Sequence, residues 1–210
     1  NYVMILSYIY IAVGTFALAR KLNLNLFSSF LAGLIIISSP RLAANAMFSG
    51  QFPTIVAFDK NSSRPHHLPT DSKLKGNEFV LTDFGAESNR YASDISRTFV
   101  FGKADKKMKD IYETVFGAQL QAIDMVKDGV NGKDVDKVAR SIIDKKFKGR
   151  FIHSLGHEVG LSVHDGKNLS SQVDFILKED MVVTIEPGIY IPEIGGVRIE
   201  DTVIVKKNKA

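Results

Sequence analysis

Phe79-Val-Leu-Thr-Asp-Phe-Gly85 and Ile95-Ser-Arg-Thr-Phe-Val-Phe101 are two short runs rich in aromatic and β-branched residues, and Glu87-Ser-Asn-Arg90 between them has turn chemistry. They read as the two arms of a β-hairpin. Asp83 on one arm and Asp94 at the start of the other, eleven positions apart, can then converge on one point. Two acids that converge in a strand pair repel, and burying them without a counter-charge is costly, so cations are a natural remedy. The plainer alternative, and the commoner one for either residue alone, is a solvated or capping carboxylate near a turn.

Working outward, Phe52-Pro-Thr-Ile-Val-Ala-Phe58 reads as a short strand entering a loop, residues 59–70, rich in Asn, Ser, Pro and His. On the other side, Met108, Ile111, Tyr112, Val115, Phe116, Leu120 and Ile123 recur at steps of three and four, the spacing of one helix face. A second helix is predicted over 133–147, with Val135, Val138, Ala139, Ile142 and Ile143 on one face and Asn131-Gly132 as its entry. The remainder is strand-rich. Met181-Val-Val-Thr-Ile-Glu186 enters a Pro-Gly turn, and Gly196-Val-Arg-Ile-Glu-Asp-Thr-Val-Ile-Val205 alternates as a half-buried strand. Neither a linker nor a repeat interrupts the chain, and a single domain over 1–210 is expected.

Hydrophobic residues at 45% and charged residues at 24% are the balance of a folded globule, which excludes disordered and fibrous classes. The net charge of +4 comes from lysines mixed with acids, as in Lys103-Ala-Asp-Lys-Lys-Met-Lys-Asp110, so it reads as solvated helix surface and not as a nucleic-acid face. With no cysteine there is no disulfide framework, no Cys-ligated zinc and no thiol nucleophile, and the cytoplasm is the default location. The first 58 residues contain no Asp or Glu and only Arg20, Lys21 and Arg41 as basic groups. That raises a membrane hairpin, but Asn, Ser, Thr and Gly punctuate both apolar stretches, and two heavily buried helices are the expectation there.

His153-Ser-Leu-Gly-His157-Glu-Val-Gly-Leu-Ser-Val-His164-Asp-Gly166 gathers three of the five histidines among glycines. Neutral imidazole is a common ligand for borderline metals, and the spacing is not that of the helical His-Glu-x-x-His motif. Glu186 stands before Pro187-Gly188, where a strand-end carboxylate beside a turn is an equal alternative; Glu200 lies in an otherwise apolar strand, where an exposed position paired with Arg198 is one. Taken together, Asp83, Asp94, His157, Glu186 and Glu200 form a ligand set suited to two first-row divalent ions, which can activate water and polarise a carbonyl.

These residues stand in a familiar order: Asp83-Phe-Gly-Ala, Tyr91-Ala-Ser-Asp94-Ile-Ser-Arg-Thr-Phe99, the run from His153 to Asp165, Ile185-Glu-Pro-Gly-Ile-Tyr190, and Gly195-Gly-Val-Arg-Ile-Glu-Asp201. From Phe52 to Val205 the chain resembles the Xaa-Pro dipeptidase and aminopeptidase P branch of the methionine-aminopeptidase-like metallopeptidases. The resemblance implies an α+β pita-bread fold, a pseudo-twofold antiparallel sheet with helices on its outer face. It implies that Asp83 chelates one metal, Asp94 and Glu200 bridge two, and His157 and Glu186 complete the second. Glu186 would also handle the proton of the attacking water, and His164 would stabilise the tetrahedral intermediate. His66, in Pro65-His66-His67, matches the substrate-side histidine, while His153 and Arg198 would orient ligands and substrate. The Arg and Gly-Gly before the last ligand favour the proline-directed branch over methionine removal.

The activity so implied is cleavage of the bond between an amino-terminal residue and proline in small peptides, as an Xaa-Pro dipeptidase. Aminopeptidase P, acting on longer Xaa-Pro peptides, is the alternative within the branch, and a pita-bread binding module is the non-catalytic one. Manganese or cobalt is expected, with zinc and iron as alternatives; no nucleic-acid or membrane partner is expected, and a homodimer is left open. Two departures stand out. Arg90 replaces the glycine that usually precedes the tyrosine, and the first 50 residues lack the surface charges of the family's two helices. The separate amino-terminal domain usual in this branch has no counterpart in the sequence, so the expectation is a catalytic domain alone.

Overall fold

Aromatic and β-branched residues over Glu78–Phe84 form strand β2, and they bury on both faces because β2 is the middle strand of three. Its neighbours are β1 (Ile55–Phe58) and β3 (Ile95–Phe101), both antiparallel to it. The protein is described by a computed structural model covering residues 52–68 and 70–208. The chain divides into two compact units, residues 1–50 with 86–89 and residues 51–85 with 90–210, and the account that follows concerns the second. The two helices expected in the first 50 residues lie outside the described residues. Among the described residues no helix is long and apolar enough to cross a membrane.

Strand β1 is shorter than the predicted run from Phe52, since Pro53 offers no backbone donor to a ladder. The loop expected at 59–70 opens instead with a 3-10 helix, Asp59–Ser63. Helix α1 (Lys106–Met125) is capped by Asp105, whose carboxylate accepts from Met108 N at 2.7 Å, and α2 (Gly132–Phe147) by Asn131, which accepts from Lys133 N. Strands β4 (Gly156–His157) and β5 (Asn168–Leu169) pair, as do β6 (Val182–Ile185) with β9 (Asp201–Ile204) and β7 (Gly188–Ile191) with β8 (Gly195–Arg198). All of these pairings are antiparallel. The core joins Ile111 and Val115 of α1 and Ile143 of α2 to Leu155, Ile185 and Val197.

Two further features differ from the sequence reading. The helix face is narrower than predicted: Met108, Ile111, Val115, Ala118 and Ala122 are buried, whereas Tyr112, Phe116 and Leu120 are 36%, 44% and 48% exposed. The buried line steps by three and four residues, and Tyr112, Phe116 and Leu120 lie on its flank. The predicted strand 196–205 is two strands. At Ile199 and Glu200 the chain leaves β7 and joins β6, with Ile199 N donating to Pro187 O and Glu200 N to Ser96 O.

Candidate metal centre

The break between β8 and β9 places Glu200 against the hairpin. Asp83 lies opposite Ser96 in the β2–β3 register, and Glu200 receives the Ser96 hydroxyl on Oε2 at 2.7 Å. The same hydroxyl oxygen accepts from Arg198 Nε at 2.8 Å, and Thr98 exchanges hydrogen bonds with the Arg198 backbone. Small hydroxyl residues at inward strand positions thus let β8 and the Glu200 segment approach β3 closely.

On the opposite side, His157 and Glu186 are set by the approach of β4 to β6. His157 N donates to Thr184 Oγ at 3.0 Å, and Glu186 N donates to Leu155 O at 2.7 Å. Gly156 makes this contact feasible: a Cβ there would lie 1.9 Å from Thr184 O. The His157 ring donates through Nδ1 to Glu158 O at 3.2 Å, which leaves the Nε2 lone pair facing Glu186 Oε1 at 3.4 Å and Asp94 Oδ2 at 3.6 Å. A lone pair aimed at two carboxylates is repulsive unless a proton or a cation lies between them.

The carboxylates have the same need. Asp83, Asp94 and Glu200 are buried, and Asp83 Oδ1, Asp94 Oδ1 and Glu200 Oε1 have no hydrogen-bond partner among the described residues. Ligand atoms of Asp94, His157 and Glu200 lie within 4.8 Å of one another. Burial raises Asp83 to about 6 despite the opposing Arg198 cation, and raises Glu186 to about 7 despite His157 and Arg198. Glu200 is pushed well above the usual carboxylate range by burial and then by Glu186, Asp94 and Asp83. Burial pulls His157 down, but Asp94 and Glu186 outweigh it and its value is raised. Orphaned oxygens, mutual repulsion and a free imidazole nitrogen together fit divalent cations.

A cavity of about 280 Å³ opens on this cluster, and Asp83, Asp94, His157, His164, Glu186, Arg198 and Glu200 line it together with His66. His164 and His66 are exposed, while His67, also on the wall, is buried. The His164 ring lies 4.1 Å from that of His157, centroid to centroid, and burial followed by the His157 charge lowers its pKa. A second cavity of about 410 Å³ shares His66, His157, His164, Glu186 and Arg198 with the first, and His153 lines it. His153 donates through Nδ1 to Ser154 O, and its Nε2 accepts from the Tyr190 hydroxyl, each at 2.8 Å. That hydroxyl accepts in turn from Arg198 Nη1 at 3.0 Å. Burial, then the nearby Arg198 charge, depresses His153 to about 4, and burial raises Tyr190 to about 12.

All nine residues singled out in the sequence therefore lie around these two connected spaces. The reading passed over Ser96, Thr184 and Tyr190. Ser96 and Thr184 were legible in principle as polar residues at inward strand positions, and Tyr190 stood in the Ile185–Tyr190 motif without a role assigned to it.

The family model described as metallopeptidase family M24 matches residues 33–207. An Xaa-Pro dipeptidase of Pyrococcus furiosus is 47% identical over 160 residues, 76% of this chain and 46% of that protein. One from Pyrococcus horikoshii is 46% identical over 158 residues, 75% and 45%. The chain thus spans about half the length of the curated relatives it matches. Among solved structures, prolidase from Pyrococcus furiosus superposes with a TM-score of 0.74 at 46% identity, over 76% of this chain and 48% of that one. Xaa-Pro dipeptidase from Bacillus anthracis gives 0.76 at 36%, over 87% and 50%. The fold is the α+β pita-bread fold that the sequence motifs imply. A match across most of the chain, agreeing in sequence and in structure, makes it a member of metallopeptidase family M24.

Proposed function

We propose that this chain is the catalytic part of an Xaa-Pro dipeptidase that holds two divalent metal ions through Asp83, Asp94, His157, Glu186 and Glu200. The observation that carries the reading is the set of three buried carboxylate oxygens without partners, gathered around a free imidazole nitrogen at the floor of a cavity. Its similarity to Xaa-Pro dipeptidases supports the substrate class. Manganese or cobalt suits the mixed carboxylate and imidazole donors, with zinc and iron as alternatives. The two ions, when bound, supply Lewis-acid activation of water and of the scissile carbonyl.

The remaining chemistry belongs to the chain's own side chains. Glu186, on the wall of both cavities and facing His157, takes a proton from the attacking water and delivers it to the departing proline nitrogen. His164, exposed on the cavity wall beside His157, donates to the oxyanion as the carbonyl becomes tetrahedral. His66, on the wall of both cavities, contacts the substrate from the loop side. His153 is kept neutral and held by Ser154 O and Tyr190, and it keeps the Arg198 side of the site in register. A single catalytic domain over 1–210, a cytoplasmic location and a homodimer belong to the same proposal, and size-exclusion chromatography tests the last.

The deciding experiment is hydrolysis of Leu-Pro by metal-stripped protein before and after addition of manganese or cobalt. Metal-restored cleavage supports the proposal. Cleavage of Leu-Pro-Gly but not Leu-Pro moves the assignment to aminopeptidase P, and failure to bind any divalent ion overturns it in favour of a binding module.

A further inference from the structure

The two connected cavities differ in charge. Four carboxylates, Asp83, Asp94, Glu186 and Glu200, line the first, whereas Glu186 is the sole carboxylate of the second. Two arginines line the second, Arg64 and Arg198. Of the five N–H groups of a guanidinium, Arg198 commits four: Nε to Ser96 Oγ, Nη1 to Tyr190 Oη and Pro65 O, and Nη2 to Asp83 Oδ2. Its charge is likewise engaged by the buried Asp83 carboxylate. Arg64, exposed, has no side-chain hydrogen bond or ion pair among the described residues.

The backbone beneath Arg64 is held from both sides. Arg64 N donates to Asn61 O at 3.1 Å. Before it, buried Ser62 donates to Asp59 O and accepts from Gly196 N at 2.8 Å, and a Cβ on Gly196 would lie 2.1 Å from Ser62 O. After it, the Pro65 carbonyl accepts from Arg198. The loop is thus pinned to β8 at two points, and Arg64 projects from a fixed base beside His66.

A peptide of two residues carries an ammonium at one end and a carboxylate at the other. We propose, resting on the Xaa-Pro reading above, that Arg64 is a specificity residue that receives the free carboxylate of a dipeptide, with its amino end toward the acidic cavity. A cation with unfilled donors in a fork geometry matches a carboxylate in two hydrogen bonds. A longer peptide carries a neutral amide at the same point and lacks that contact, so Arg64 favours dipeptides over longer Xaa-Pro peptides.

The test compares wild type, Arg64→Ala and Arg64→Lys in the metal-loaded state, with Leu-Pro and Leu-Pro amide as substrates. The amide removes the charge and leaves the rest of the molecule in place. Arg64→Ala is expected to lower kcat/KM for Leu-Pro about tenfold through KM, the lower range for a hydrogen bond to a charged group, with the amide changing less than about twofold. Arg64→Lys restores part of the loss on Leu-Pro. Parallel losses on both substrates, or none on either, overturn the assignment of Arg64 while the Xaa-Pro reading stands. Wild type that cleaves neither substrate overturns that reading, and the assignment with it.

Discussion

The Arg198 guanidinium meets Asp83 through Nη2 on Oδ2, while the other oxygen of the same carboxylate, Oδ1, has no hydrogen-bond partner among the described residues. The carboxylate is therefore held from behind by a cation and turns an unsatisfied oxygen to the cavity. An arginine already bonded to Ser96 and Tyr190 cannot swing to cover that oxygen as well. Support on one side and vacancy of bonding on the other is the arrangement that a metal ligand requires.

Asp94 faces His157 Nε2 through Oδ2 at 3.6 Å, and its Oδ1 is likewise unsatisfied. Asp94→Ala is expected to lower divalent-metal affinity by more than about a hundredfold, beyond the loss that removal of an outer-shell partner produces. Activity goes with the metal. The metal-free variant should melt within about 1 kcal/mol of wild type, since the change also removes repulsion among buried acids. Metal content after dialysis and a calorimetric melt check both halves.

The metal-free protein is expected to lose stability as pH rises from 6.5 to 8. Glu186, raised to about 7, and Glu200, raised well above the usual carboxylate range, hold protons in the folded state that the unfolded chain has already released. An acid raised on folding favours the folded state relative to higher pH, and that advantage disappears as pH climbs through its folded value. His157, also raised, has the same sign: its contribution is complete below the free imidazole value and lost above its own. His153 and His164 are lowered, so the unfolded chain binds more protons at these two positions near pH 6.5, and they oppose the fall only at the lower edge of this window. The fall is about 1–2 kcal/mol. Added manganese should abolish it, because deprotonated ligands bind the ion more tightly. Thermal melts at the two pH values, with and without metal, decide the matter.

Gly156→Ala should destabilise the protein by at least about 2 kcal/mol, because the new methyl meets the Thr184 carbonyl, a backbone atom that cannot rotate away. It should also weaken metal binding, since the same strand carries His157. Wild-type metal affinity in a folded Gly156→Ala protein would contradict the close approach of β4 to β6.

Arg90 is exposed with φ of 74°, in the left-handed region where a side chain is strained and glycine is not. Arg90→Gly is expected to stabilise by about 0.5–1 kcal/mol, after the greater freedom of glycine in the unfolded chain is subtracted. Activity should be unchanged, and urea unfolding measures the difference. Equal or lower stability would show that the arginine makes a compensating contact.

Much of this protein was readable along the chain. Runs of aromatic and β-branched residues on either side of a turn located the hairpin that carries Asp83 and Asp94, the periodic apolar residues located both helices, and the ordered motifs pointed to the fold and to the ligand set, because strand, helix and motif spacing are local properties. Other features depended on contacts between distant segments. Whether Tyr112, Phe116 and Leu120 faced the core was settled by which side of α1 met its neighbours, and a stripe of seven candidates was too wide for one buried line. The break at Glu200 was invisible because Ile199 and Glu200 keep the alternation of a continuous strand, while the change of partner from β7 to β6 is a long-range event. So too the bonds that join Ser96, the strand partner of Asp83, to Glu200 and Arg198, and the link from Arg198 through Tyr190 to His153, exist only once separate segments are folded together. Sequence alone determined which residue types were available for metal chemistry and in what order. Tertiary structure decided which of their atoms were left without partners, because satisfaction of a buried polar atom is a property of its surroundings and not of its position in the chain.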